Sequence, residues 1–569
     1  MAQGPVIASI VISTLRQFSR LIRPLALAYL APMLLAACTV GPDFEVPPPP
    51  DVNNLMPPPP PGYVKAGTLQ RLVPGGDIPG EWWRLFRSKE LTGLIERALR
   101  DNHDIKAAQA ALRVAHANYR AQQGALFPLV AANVTSSDQK ASTSVLASPT
   151  VSGDPFYTLQ TGQLTISYVP DVFGGIRRQI EAASAQEESQ RFMLEATYLT
   201  LTSNIALAAI QEASLRAQIE ATEQAAHAER MLFGRPESRE AFSSANPRDW
   251  AALKSAFFQA EQTVPLLQKQ LAAQRDLLAA LTGHFAGEGL PEHFTLAKLF
   301  LPKDLPVTLP SRIVEQRPDV RAAQANLHAA GALVGVAIAN RLPLFNLTGN
   351  IGRSGSQFSD LLNPAPPFLF WTAAGSVTQT IFDGFTLEQR QRAAEAGWDQ
   401  VTEQYRSTVV NAFQNVADAL QAIMLDAISV ERAIRAETAA RENLCMTVAA
   451  FVGYQGDGWP DNPQLTRVNT TDDKLMKRIQ AGFVGWWKRV CMTLKGLKTD
   501  TLDPNDSPTA SDVLTSEQLY LSTSLTRITA QASRYADVVA LFQALGGGWW
   551  NRFDVEEARD PGLFAGTGP

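Results

Sequence analysis

The chain is poor in the residues that usually carry chemistry. Its three cysteines, Cys38, Cys445 and Cys491, are too few for a disulfide framework, and none stands in a CxxC or a Cys/His cluster of metal-ligand spacing. Six histidines, at 103, 116, 227, 284, 293 and 328, are scattered, and no HExxH, GxSxG elbow, P-loop or GxGxxG occurs. These absences argue against an enzyme and against any cofactor. Charge is also scarce: 18% of residues, against the ~25% usual in soluble domains. With 50 basic and 55 acidic side chains the net charge is -5, which speaks against nucleic acid as a partner. No apolar run of the roughly 20 residues needed for a helical span is expected after residue 40. Together with a mean hydropathy of -0.08, this excludes a polytopic helical transporter. Ala, Gln, Ser and Thr fill the space instead, a composition that suits long helices with small-residue seams. By length alone, 569 residues suggest about four ordinary domains.

Cys38 is the informative cysteine. Before it lie Arg16, Arg20 and Arg23 with no acidic residue, then the apolar stretch Leu25 to Ala37, the pattern of a signal peptide. Leu35-Ala36-Ala37-Cys38 resembles a bacterial lipobox, in which the chain is cut before the cysteine and the cysteine is acylated. Thr39 follows rather than Asp, which by the same resemblance favours sorting to the outer membrane. Residues 1–37 are therefore expected to be removed, leaving an acidic secreted chain of net charge about -8. Residues 38–80 read as a lipidated tether, rich in proline at Pro47 to Pro50 and Pro57 to Pro61 and unsuited to helix or central strand.

Internal repetition sets the architecture. Asn102 to Leu112 matches Arg317 to Leu327 without a gap, 215 positions later, and Phe127-Pro128 maps onto Leu342-Pro343. Further on, Gly175-Ile176 and Ala182-Ala183 correspond to Thr386-Leu387 and Ala393-Ala394 at an offset of 211. The chain is a tandem duplication, with copies at about 81–300 and 301–550 and a tail at 551–569. Each copy reads helix, proline, strand, loop, strand, glycine-rich turn, very long helix. Strands are expected at about 128–138, 157–170, 343–353 and 368–382. Their residues alternate: Leu164, Ile166 and Tyr168 against Thr165 and Ser167; Phe345, Leu347 and Ile351 against Asn346, Thr348 and Asn350; Trp371, Ala373, Val377 and Ile381 against Thr372, Ser376, Thr378 and Thr380. One apolar face and one hydroxyl or amide face fit a membrane barrel, lipid outside and water inside, as they also fit a hairpin packed on a soluble core.

The helices favour the barrel. No proline occurs from Ile176 to about Gly234, a rod of roughly 85 Å at 1.5 Å per residue, and a second rod runs from about Leu387 to Val452. Apolar spacings such as Ile205, Ala209, Ala213 and Phe413, Val416, Leu420 mark narrow coiled-coil seams. Four strands do not close a barrel, and open edges are not tolerated in lipid. Two or three copies would supply eight or twelve strands, with the helices continuing the cylinder into the periplasm.

Ordered motifs then carry a resemblance over about residues 25–550. They are Leu35 to Phe44, Trp82-Trp83-Arg84-Leu85-Phe86 with Leu91 and Leu94, Arg317-Pro318-Asp319-Val320, Ile381-Phe382-Asp383-Gly384, Phe413 to Leu420, and Ala544 to Trp549. The chain resembles the TolC-type outer-membrane factors, in the NodT-like lipoprotein branch that serves resistance-nodulation-division (RND) pumps. The resemblance implies an α plus transmembrane β subunit, closing as a homotrimer with a twelve-stranded barrel on a helical tunnel. It implies a passive exit duct for small molecules in the outer membrane, anchored by lipid on Cys38, with a periplasmic adaptor protein and an inner-membrane RND pump as partners. It also implies a periplasmic gate, with Asp418 forming a ring of carboxylates and Tyr405 and Arg406 locking neighbouring helices. Leu207 takes the place of Asp418 in the first copy, so only the second hairpin is expected to line the constriction, and adaptor grooves are expected near Ala213 to Arg216 and Leu425 to Ala427. An insert at 456–510 departs from the family. Within it Lys474 to Lys498 holds seven basic and no acidic residues at amphipathic spacing, read as a belt at the waist of the trimer. The alternatives are an outer-membrane component of type I protein secretion, or a lipid-anchored periplasmic coiled-coil protein with no pore.

Overall fold

A computed structural model describes residues 39–48, 70–140, 156–233, 247–307, 315–363, 368–452, 491 and 510–552. In chain order its elements are β1 (Arg71–Pro74), α1 (Lys89–Asp101), α2 (His103–Gly124), β2 (Leu129–Lys140), β3 (Phe156–Tyr168), α3 (Gly175–Phe233), α4 (Pro247–Leu281), β4 (Asp304–Val307), α5 (Pro318–Ala339), β5 (Leu344–Gly355), β6 (Leu369–Thr378), α6 (Thr386–Val452) and α7 (Ala510–Ala544). The duplication is visible in these bounds: α2, β2 and α3 recur as α5, β5 and α6. Both long rods start with the same device. Asp171 accepts the backbone N–H groups of Ile176 and Arg177 at 3.0 and 2.9 Å, and Asp383 accepts those of Thr386 and Leu387 at 3.1 and 2.8 Å. A carboxylate on these otherwise unpaired donors also suits the positive end of the helix dipole.

Contacts divide the chain into two compact units that cut across the sequence copies. The first holds the described residues up to Pro48, with Ala108–Met193 and Asp319–Thr408. The second holds the described parts of Pro49–Ala107, Leu194–Pro318 and Val409–Pro569. Both units draw segments from both sequence copies, so the units and the copies at 81–300 and 301–550 are different divisions of the chain. The first unit contains the antiparallel sheet β2-β3-β5-β6, in which β3 and β5 join the two copies.

The second unit has a core of aromatic and aliphatic side chains. Trp82, Phe86, Leu94 and Phe542 are at most 1% exposed; Trp82 stacks on Phe542 at 5.4 Å and meets Phe86 edge-on at 6.4 Å. The short strands β1 and β4 pair in parallel, and Gln70 beside them bonds the carbonyl of Pro302 and the Arg534 guanidinium. Three successive glycines, 546 to 548, all at positive φ, turn the chain after α7 so that Trp549 Nε1 reaches the Gln316 carbonyl at 2.6 Å.

Two sequence expectations change here. Windows of α3 and α5 reach mean hydropathies of 1.2 and 1.3, so apolar stretches of spanning length do occur after residue 40. Half of each window is buried within the chain, and these are packing surfaces of core helices. Cys445 and Cys491 form a disulfide across 46 residues, with Cα atoms 5.8 Å apart. Two cysteines suffice for one staple even though three do not make a framework, and no local spacing announces it.

Candidate functional site

The sheet is the first part of the site. Directly opposite residues of antiparallel strands share a face, and the register aligns the alternation of four strands into common rows. One row runs Ala132, Leu164, Ile351, Trp371, and another Val130, Ile166, Gly349, Ala373. Between them the other face carries Ala131, Thr165, Asn350, Thr372. The apolar face is bare: Leu164 is 47% exposed, Ile351 49%, Val130 60% and Trp371 73%. Among the described residues no core covers this face, unlike that of a hairpin packed on a soluble core. At both flanks the sheet ends on a long strand, β2 and β6, whose outer backbone groups pair with no described strand.

The second part is two pairs of contacting helices in the second unit. In α3 and α4, Arg275 of α4 reaches Glu212 of α3 at 3.1 Å and Gln274 reaches the Ala208 carbonyl. In α6 and α7, Glu437 holds Ser524 at 2.9 Å and Arg527 at 2.6 Å, and Asp426 faces Asp537. On α6 and α7 partner numbers fall on one helix as they rise on the other, so that pair is antiparallel and the chain reverses after Val452, while α3 and α4 are successive helices in contact along the 208–212 and 274–275 stretches. Expected grooves near Ala213 to Arg216 and Leu425 to Ala427 therefore lie inside continuous helices and are not tips. Ala213 to Leu215 are at most 2% exposed, and Glu212, wholly buried, takes Arg216 at 2.8 Å as well as Arg275. His293 joins the same cluster, its Nδ1 2.9 Å from both guanidiniums.

The expected gate residues do not converge. Asp418 is exposed, with the Gln414 amide at 3.4 Å. About 50 Å of helix separates it from Val452, where α6 ends, and the antiparallel register sets it level with the Ala544 end of α7. The carboxylate ring that the resemblance implies for Asp418 would take one side chain from each of three copies. Tyr405 is 6% exposed, and burial raises its pKa against the opposing charge of Arg321 on α5. Arg406 lies on the exposed face, bonded to Glu403 at 2.6 Å. The two neighbours point to different surroundings and do not act as one lock within this chain. In sequence the insert 456–510 falls between Val452, where α6 ends, and Ala510, where α7 begins. Except for Cys491 and Ala510 it lies outside the described residues, as do Cys38 and the segment 1–37.

The carboxyl of Asp537 was missed in the sequence. Burial pushes it up to about 7, with the hydrogen bond and charge of Asp426 acting in the same direction. Among the described residues no group of three or more His, Cys, Asp or Glu is arranged to hold a metal ion.

Known proteins with this arrangement transport. A family model described as outer membrane efflux protein matches residues 94–284 and 309–451, more than half of the chain. The pyoverdine export outer membrane protein OpmQ of Pseudomonas putida is 28% identical over 346 residues, 60% of this chain and 72% of that protein. The cation efflux system protein CusC of Escherichia coli is 24% identical over 530 residues, 92% and 98% of the two chains. In fold, the CmeC outer membrane channel of Campylobacter jejuni superposes with a TM-score of 0.73 at 18% identity, over 92% of this chain and 98% of that one.

Proposed function

The chain belongs to the outer membrane efflux protein family, and on that premise we propose that it is the exit duct of a tripartite efflux system, carrying small molecules from the periplasm through the outer membrane. The observation that supports this most directly is the four-stranded sheet with a bare apolar face, an uncharged polar face and two open edges. Such a sheet is stable in lipid only when its edges are closed by other copies. Three copies give twelve strands, within the range of outer-membrane barrels and wider than the eight-stranded ones that side chains can fill. The polar face, Thr165, Asn350 and Thr372 among others, then lines a watery lumen without charges to select a substrate.

Energy is spent elsewhere. The duct is passive, an inner-membrane pump drives transport, and an adaptor protein joins the two at the periplasmic side. The named relatives serve pyoverdine export and cation efflux, which favours small cargo over the secretion of folded or unfolded proteins. Cys38 carries the lipid anchor. The purified protein should migrate as a heat-modifiable trimer and conduct ions in planar bilayers; a monomer that binds vesicles without conductance would leave only the pore-free coiled-coil reading.

A further inference from the structure

The first described residues are seated on the fold. Arg178, in the first turn of α3, is 4% exposed. Its Nε donates to the Val40 carbonyl at 3.1 Å, Nη2 to the Gly41 carbonyl at 3.3 Å and to Asp43 Oδ1 at 2.6 Å, and Nη1 to Glu181 Oε2 at 2.8 Å. Burial works against the charge of this guanidinium, but Glu181 and Asp43 outweigh it and its pKa is raised. The other oxygen of Glu181 holds His328 Nε2 of α5 at 2.8 Å, and the Phe44 ring stacks on that imidazole, centroids 4.3 Å apart and planes 14° from parallel. Val40 N–H donates to the Phe173 carbonyl at 3.2 Å.

Backbone approach is just as close. A Cβ on Gly335 of α5 would lie 2.8 Å from the Val40 carbonyl oxygen, and one on Gly174, at φ +78°, 2.8 Å from Thr39 Cγ2. A loose tail needs none of this. Charge-assisted bonds to two carbonyls, glycines where side chains would collide and a stacked aromatic are what a bound peptide receives.

We propose that Thr39 to Phe44 is an intramolecular ligand, a strap held in a cradle built by α3 of the first copy and α5 of the second. The cradle, and not the acyl chain on the preceding Cys38, fixes where the N-terminus leaves the fold. It holds the anchor beside the turn between β3 and α3, where the apolar strand face ends. Only the part concerning the anchor rests on the lipoprotein reading; the strap stands without it.

Maleimide labelling of purified trimers tests the proposal, with the native Cys445–Cys491 pair kept oxidised. Val40→Cys should react roughly tenfold or more slowly than Val46→Cys, the factor imposed when the strap is open no more than about a tenth of the time; Val46 is 65% exposed. Arg178→Met should bring the two rates together. So should Gly335→Val, whose Cβ would lie 2.8 Å from the Val40 carbonyl oxygen and 2.9 Å from Arg178 Cγ, crowding both the strap and the side chain that holds it. Trimer retained in unheated gels certifies the fold of each variant. In a Cys38→Ser chain secreted behind a non-lipoprotein leader, Val40→Cys should stay protected. Equal rates in the otherwise unaltered protein, or protection that survives both cradle variants, overturns the strap. Exposure caused by Cys38→Ser alone overturns the claim that the cradle holds it. Failure of the duct reading would show in bilayer conductance, which this labelling does not use.

Discussion

Glu212 shows how much a single side chain does where the sequence suggested an exposed groove. It is wholly buried and answers two guanidiniums, Arg216 and Arg275, from two helices. Removing one side of a buried ion pair leaves charge without compensation, at a cost of about 3–5 kcal/mol. Glu212→Ala should therefore lower the unfolding midpoint far more than Glu220→Ala on the outer face of the same helix; equal shifts by circular dichroism would show that the cluster contributes nothing. Asp537 makes a second prediction, in pH. Its folded pKa of about 7 lies above the unfolded value of 3.8, so the folded state binds the proton more tightly. That stabilisation is complete below about pH 4 and is lost as pH rises through 7. Thermal midpoints of the parent should fall between pH 5 and 8, and those of Asp537→Asn should fall less. Neither effect was legible in the chain: Glu212 sits in an unremarkable Gln-Glu-Ala-Ser run, and Asp537 is one residue past Ala536 in a helix full of small side chains. Burial of both depends on which helix lies opposite.

Elements were far easier to read. An absence of proline over some sixty residues predicted α3 and α6 to within one or two residues of their ends, because nothing in between breaks the hydrogen-bond ladder. Alternation likewise predicted β3, β5 and β6 and their faces, since the pleat turns period two directly into sidedness, although β6 ends at Thr378 and leaves Thr380 and Ile381 beyond it. Where a hairpin reverses was not legible, and Ala213 to Arg216 and Leu425 to Ala427 were expected at tips for that reason. The sheet faces yield a paired prediction. Ile351→Arg, on the apolar face, should cost about 2–4 kcal/mol at mid-membrane depth and lower the yield of inserted trimer. Asn350→Arg, one residue away on the polar face, should insert normally and shift ion selectivity toward anions in bilayers. If both variants insert equally well, the apolar face does not meet lipid. The Cys445–Cys491 staple closes a 46-residue separation, worth about 4 kcal/mol by chain entropy. Peptide mapping without reductant should recover the two cysteines joined, as an oxidising compartment allows.

For the whole molecule, the number of copies follows from what one copy lacks. The sheet leaves β2 and β6 with unpaired outer edges, and their closure must come from other subunits. This has a genetic consequence. Placing proline at Thr372 and Ala374 in β6 should block edge pairing without touching the core of the second unit, producing a subunit that joins others but does not let them close. Expressed in equal amount with the intact protein, it would leave only about one in eight random trimers free of a defective member. Efflux would then drop well below half, so a cell carrying both alleles should export the system's cargo little better than one carrying neither.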